Sequence, residues 1–493
     1  MALLDWSSRA DWMRRHRRSS PPRSGRCPDR HRSAPGSGLQ GFGGVLVLPL
    51  VVVALMGSGG SDEVGAAGIE PSTSPIRHIV VILQENHSFD NLLGYWCHRH
   101  ARCDGAVTGK ISNGRTVALR ESGDRAPFVD HGDRAHRRSW HKGAMDGFDR
   151  VPGCRRVDRY ACYAQYHPRD IPNLVRLARH FVVADRVFES DGVPSWGSHL
   201  ELATGGTLDG FTGDNPKRVH GTPHYGWGCD SLLDAAWRPA RGAPRQLVPS
   251  CIPDQAGNGP YRPSPVQWVP TIMDRLDAAD RTWKLYSLLP TMRSQGYSTG
   301  GYGWAICPTF ADCRYTSQNA NNVPLFNVLH DAHAGTLPDF SVVTPTSKLS
   351  QHNGYSMRNG DNYIGQIMTA LMHGPQWNST AVIITYDDYG GFYDHLPSPD
   401  GTDAIRLPFV IVSPWSKRQY TDHHYATLAS IDAFAEHTFG LQPLSARDAA
   451  AYDLRNAFDF NQPPQTAIRM TRTPIPRSVL QAIRRHPPPD DVT

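Results

Sequence analysis

Six short runs of apolar, mostly β-branched residues are spaced along the chain. They are "HIVVIL" (78–83), "FVVADRVF" (181–188), "TWKLYSLL" (282–289), "DFSVVTP" (339–345), "AVIITYDD" (381–388) and "LPFVIVSP" (407–414). Several are apolar at successive positions, so both faces of such a strand must be covered. Between them lie stretches with helical periodicity, at 171–180, 271–279, 362–374 and 425–440. Covered strands alternating with helices predict an α/β protein, a three-layer αβα sandwich around a mostly parallel sheet.

In such a sheet, ligands collect beyond the carboxyl ends of the strands. Two strand tips there carry unusual chemistry. "HIVVIL" runs into "QENHSFDN" and delivers Glu85 and Asn86, and about 300 residues later "AVIITY" runs into "DDYGGFYDH" and delivers Asp387 and Asp388. One such pair alone reads as a polar strand end. Two pairs, each followed by a Gly- or Asn-rich turn, read as a hard oxygen-donor set for Ca²⁺, Mg²⁺ or Mn²⁺. Three carboxylates gathered without a cation would repel one another.

Charge and cysteines bound the setting. The net charge of +5 is uneven: residues 1–40 hold nine Arg and three Asp, a net of +6, which leaves about −1 for the rest. A near-neutral body has no footprint for nucleic acid. The basic leader precedes "VLVLPLVVVALM" (45–56) and a small-residue segment. Twelve residues are short for a membrane span and suit a secretory signal, with an uncleaved anchor as the alternative. Residues 1–70 are therefore expected as leader, signal and linker, 71–475 as one catalytic domain with a loop-rich insertion at about 205–270, and 476–493 as a flexible tail. Of nine cysteines, one (Cys27) is in the leader. The other eight, Cys97, Cys103, Cys154, Cys162, Cys229, Cys251, Cys307 and Cys313, are an even set in a chain with an export signal. That suggests disulfides, with nearest neighbours paired. A zinc site is the rival reading, although no CxxC spacing occurs.

"IRHIVVILQENHSFDNLLGY" and "NSTAVIITYDDYGGFYDHLPSP" together resemble the bacterial phosphoesterase family of non-specific phospholipases C and acid phosphatases. That family's usual segments are Glu-Asn-Arg-Ser-Phe-Asp and Trp-Asp-Asp-Trp-Gly-Gly-Phe-Tyr-Asp-His. Here His87 stands at the Arg position, and Tyr386 and Tyr389 stand at the Trp positions. "HKGAMDGF" (141–148), "DIPNLVRLARHFVVADRVF" (170–188), "SQHNGYSMRNGDNYIGQIM" (350–368) and "AFDFNQPP" (457–464) follow the family order. The resemblance runs from about 77 to 465, interrupted at 205–270. It implies an alkaline phosphatase-like fold.

It also implies roles. "DGVPSWGSH" (191–199) occupies the nucleophile's place, with Ser195 the best match and Ser198 the alternative. His131, ahead of "GAMD", and His352, in "SQHNG", match site histidines that protonate a leaving oxygen or hold phosphate oxygens. His395 is a candidate partner of the acidic cluster and His423 a weaker one, while His136 and His199 receive no role. The implied function is a secreted, metal-dependent, phospholipase C-like phosphodiesterase using serine attack. An acid phosphatase of small monoesters is the alternative, and a non-catalytic exported metal-binding protein is a remote one. The implied partners are a small-molecule or phospholipid phosphate ester and transient contact with a membrane surface, with no nucleic acid and no obligate protein partner. Aromatic residues at 227–304, among them Tyr297, Tyr302 and Trp304, could meet lipid or simply pack.

Overall fold

β1 (His78–Gln84) runs through the middle of an eight-stranded sheet, and Ile79 through Gln84 are all buried. The other strands are β2 (Val182–Ala184), β3 (Trp283–Ser287), β4 (Asn322–Pro324), β5 (Phe340–Val343), β6 (Thr380–Tyr386), β7 (Phe409–Val412) and β8 (Tyr420–Asp422). Their spatial order is β4-β3-β5-β1-β6-β7-β2-β8. β1 pairs in parallel with β5 and β6, while β7 is antiparallel to both its neighbours, β6 and β2. The sheet is therefore mixed and mostly parallel. The structure is a computed structural model that describes residues 74–488 except 157–158, 190–191, 209, 213–215, 219–225, 241–242 and 289–304. The signal segment and Tyr297, Tyr302 and Trp304 lie outside the described residues.

The main helices are α1 (Pro172–His180), α2 (Ser195–Thr204), α3 (Ile272–Ala278), α4 (Met357–His373), α5 (Ala429–Phe439) and α6 (Arg477–Arg485). α1 packs with α4, and α2 packs with α3 and α5. These two groups flank the sheet, whose central strands β5, β6 and β7 are buried at every position. Successive side chains on a strand point to opposite faces, so burial at every position requires cover on both. α3 begins with a reciprocal capping box between Thr271 and Asp274, which satisfies two of the helix's otherwise unpaired amide groups. Among the described residues, no helix is long and apolar enough to cross a membrane.

Outside the sheet, 205–270 holds two small antiparallel ribbons, Lys217–Arg218 with Gly226–Trp227 and Asp234–Trp237 with Gln246–Pro249. Cys229–Cys251 ties this region, and Cys97–Cys103, Cys154–Cys162 and Cys307–Cys313 close short loops. The nearest-neighbour pairing is thus the one observed, and it leaves none of these eight thiols for zinc. Residues 477–485, expected within a flexible tail, form helix α6, and the carbonyl of His486 just beyond it accepts a 2.7 Å bond from Arg125.

Candidate active site

The parallel register sets Gln84 of β1 beside Tyr386 of β6, so the residues that follow them emerge side by side. Asp387 N donates to Gln84 O at 3.1 Å, and Asn86 N donates to Asp387 Oδ1 at 2.9 Å. Asn86 can reach that oxygen because its backbone is left-handed, with φ of 64°, a conformation that asparagine tolerates better than most residues. Asp388 Oδ1 accepts from Gly390 N at 2.7 Å. Gly390 has φ of 66°, and a Cβ there would lie 1.9 Å from Asn86 O, so only glycine fits the turn.

α2 approaches these tips with its N-terminus. Ser195 is its first residue, and the Ser195 hydroxyl donates to Asp388 Oδ2 at 2.9 Å. The alternative, Ser198, instead turns its hydroxyl to Val193 O at 3.4 Å. One helical turn beyond Ser195, His199 brings Nε2 to 3.4 Å from Glu85 Oε1 and 3.8 Å from Asp387 Oδ2. Glu85, Asn86, Asp387, Asp388, Ser195 and His199 are all fully buried or nearly so. Burial first, then the Asp387 and Glu189 charges, push the Asp388 carboxyl well above its ordinary range.

The donor set fits a divalent cation. His131 Nδ1 faces Val129 O at 2.9 Å, which fixes its proton there and leaves Nε2 as an acceptor. Nε2 in turn contacts Asn86 Nδ2, so the amide nitrogen is taken and Asn86 Oδ1 is left buried with no hydrogen-bond donor. Asp387 Oδ2 is likewise buried without one. Buried oxygens of this kind are costly unless a cation or donor meets them. Among the described residues, neither Asp387 nor Asp388 pairs with a Lys or Arg.

The remaining candidates fall into three places. His352 sits next to the site: its Nδ1 donates to Asn353 O at 2.9 Å, and Asn353 Nδ2 donates to Gly390 O at 2.9 Å. His395 lies in a different cluster, bonded to Asp90 at 2.6 Å and Asp104 at 3.1 Å. His423 pairs with Asp185 at 2.8 Å and is mostly exposed. Neither His395 nor His423 hydrogen-bonds to Glu85, Asp387 or Asp388. His87, at the Arg position of the motif, bridges Asn91 Oδ1 (2.6 Å) and Gln351 O (2.9 Å) and so ties the β1 tip to the His352 loop.

Two residues that sequence reasoning left without a role belong to this region. His199 carried a readable signal, since it follows Ser195 by four residues and shares its face once the segment is helical. Glu189 carried none. Its carboxylate accepts from Tyr389 N at 2.6 Å, from Ile405 N at 3.2 Å and from His136 at 2.7 Å, which pins the backbone just after Asp388.

Similarity to known proteins places the chain in a family. The phosphoesterase family model matches residues 76–442. Non-specific phospholipase C1 of Arabidopsis thaliana is 25% identical over 454 residues, covering 79% of this chain and 72% of that protein. Phospholipase C A of Mycobacterium tuberculosis is 25% identical over 488 residues, covering 86% and 84%. Among solved structures, a protein in the alkaline phosphatase superfamily from Vibrio parahaemolyticus covers 77% of this chain and 69% of its own at 12% identity. Its TM-score is 0.35, a likeness too distant to add to the fold read from the strand order.

Proposed function

This chain belongs to the phosphoesterase family and is a hydrolase of phosphoric esters, and we propose that it is a metal-dependent, phospholipase C-like phosphodiesterase whose nucleophile is Ser195. The observation that carries this reading is the Ser195–Asp388 hydrogen bond of 2.9 Å at the start of α2, beside Glu85, Asn86 and Asp387. A divalent cation held by Glu85, Asn86, Asp387 and Asp388 would supply charge for a phosphoryl oxygen and acidify the seryl hydroxyl. Asp388 Oδ2 fixes the hydroxyl rotor. The first amide groups of α2 point their positive end toward an incoming phosphate.

The Ser195 Oγ–P bond forms as the P–O bond to the alcohol breaks, and the seryl proton passes to Asp388 Oδ2, which already accepts it at 2.9 Å. Asn353 O holds the Nδ1–H of His352, so Nε2 is the nitrogen that would pass a proton to the leaving oxygen, and it can do so only from the imidazolium form. Water then cleaves the seryl phosphodiester, releasing the phosphorylated headgroup and restoring the hydroxyl. His131 acts through Asn86, whose amide it orients.

The relatives named phospholipase C favour a phospholipid ester, met in transient contact with a membrane surface. Four disulfides favour an oxidising compartment, so the chain is exported by its leader (1–70) and works as the domain 71–475. The test is release of nitrophenol from p-nitrophenylphosphorylcholine and p-nitrophenyl phosphate, by wild type and Ser195→Ala, with and without chelator. The diester is expected to turn over, and chelator to stop it. An active Ser195→Ala enzyme would move the nucleophile to Ser198 or to water. Preference for the monoester would favour the acid phosphatase reading.

A further inference from the structure

We propose that His199 gives this site a nitrogen ligand, so that its resident cation is a borderline transition metal of the Mn²⁺, Fe²⁺, Co²⁺ or Zn²⁺ class rather than Ca²⁺ or Mg²⁺. The inference rests on the reading of Glu85, Asn86, Asp387 and Asp388 as a cation site.

Geometry carries it. His199 Nε2 lies 3.4 Å from Glu85 Oε1 and 3.8 Å from Asp387 Oδ2. Both separations exceed an ordinary N–H···O bond of about 2.9–3.0 Å. The 3.4 Å pair suits two atoms that share one ion, because metal bonds of about 2.0–2.3 Å hold neighbouring ligands roughly 3–3.7 Å apart, and the 3.8 Å pair lies just beyond that range. Ligand atoms of Glu85, His199 and Asp387 all fall within 4.8 Å of one another, and the three side chains are buried.

The other four buried histidines nearby are committed differently: His87 bridges Asn91 Oδ1 and Gln351 O, and His136 bonds Glu189. His131 spends both ring nitrogens, on Val129 O and the Asn86 amide, and His352 holds Asn353 O. His199 is placed by its helix: Ser195, four residues earlier, meets Asp388, and the same face one turn on meets Glu85 and Asp387. An imidazole among carboxylates moves preference away from the all-oxygen cations toward first-row transition metals. No thiolate is offered, since the eight cysteines outside the leader are in disulfides.

The experiment uses the full chain, stripped by chelator and titrated with Mn²⁺ and separately with Mg²⁺. Pulsed electron paramagnetic resonance of the Mn²⁺ form reads directly bonded nitrogen without any substrate. Wild type is expected to bind one Mn²⁺ with an imidazole nitrogen coupling. His199→Gln is expected to lose that coupling and to bind Mn²⁺ on the order of ten- to a hundredfold more weakly, with Mg²⁺ affinity changed much less. Should His199→Gln fail to fold, His131→Gln and His352→Gln decide by elimination. Coupling retained in both assigns it to His199, and its loss in either overturns the proposal. Mn²⁺ bound by wild type without nitrogen coupling also overturns it and leaves the cation site standing. No binding of either cation by wild type overturns both.

Discussion

The chain buries two clusters of carboxylates within the same pair of motifs, and they are compensated differently. The first is Glu85, Asp387 and Asp388 at the strand tips. The second is Asp90 and Asp394, five and six residues further along each motif. At the second cluster the chain supplies its own cation. The fully buried Arg406 guanidinium reaches Asp394 at 3.1 Å and Asp90 at 3.3 Å, bonds to the carbonyls of Asp104 and Asp185, and lies 4.2 Å over the Phe89 ring. His395 adds a second positive group on Asp90. Burial lifts Asp394 only to about 6 because Arg406 opposes the shift, whereas Asp388, facing Asp387 and Glu189, is pushed well above its ordinary range. One acidic cluster is therefore complete within the chain and serves the fold. The other has no Lys or Arg paired with Asp387 or Asp388 among the described residues, and a bound cation is the proposed complement.

The largest expected difference is in activity. Ser195→Ala should lower turnover at least a thousandfold and leave the urea midpoint unchanged, because the serine contributes one hydrogen bond to the fold and the new bond to the chemistry. Comparable turnover by the variant would move the nucleophile from Ser195 to Ser198 or to water. Arg406→Met should do the reverse. Stranding two buried carboxylates costs about 3–5 kcal/mol, to be read as a lowered urea midpoint. An unmoved midpoint would mean that the second cluster is not held by its arginine.

The sequence carried the site's frame because strand tips are set by local pattern. The apolar runs at 78–83 and 381–388 are neighbours in the covered sheet, and their parallel pairing brings their tips together. The short edge strands β4 (Asn-Val-Pro) and β8 (Tyr-Thr-Asp) were hidden because three residues are too few to show a strand pattern, and β4 ends in proline. α2 is not among the helical stretches expected from the sequence because "VPSWGS" has turn composition. Pro194 instead caps the helix, and Gly197 is needed where a Cβ would sit 2.4 Å from Phe211 O. His395 was expected beside the strand-tip acids, yet the irregular turn after Gly391 aims it at Asp90, and adjacency in sequence does not fix direction in a loop. Arg406 was illegible for a simpler reason: one arginine before an apolar strand gives no hint that two acids over 300 and 12 residues away surround it.

A charge-removing variant at the first cluster sharpens the contrast by its sign. In Asp387→Asn, the retained oxygen still accepts from Asn86 N and Asp388 N, while the charge beside Glu85 and His199 is gone. Chelator-treated Asp387→Asn should be more stable than chelator-treated wild type by about 1–2 kcal/mol, since a buried charge is no longer left uncompensated. With saturating cation the order should invert. A loss of stability in both states would show that Asp387 is compensated from within the chain, as Asp90 and Asp394 are.

The smallest effect tests the second cluster through pH. Burial alone would lower His395, but the hydrogen bond and charge of Asp90 outweigh it and raise the imidazole from 6.5 to about 9. A group whose folded value lies above its unfolded one binds its proton more tightly in the folded state. Its stabilisation is full below about pH 6.5 and is lost as pH rises through about 9. His395 is about a quarter exposed, so solvent screening reduces the contribution to about 1 kcal/mol. Other buried acids titrate in overlapping windows, Asp361 at about 7 and Glu436 at about 8. The informative quantity is therefore the difference between wild type and His395→Gln. That difference in urea midpoint should be constant from pH 5 to 6.5 and shrink steadily between pH 7 and 9.5. A difference that stays flat across the whole range would mean that His395 holds Asp90 as a neutral donor, leaving Arg406 as the only cation of its cluster.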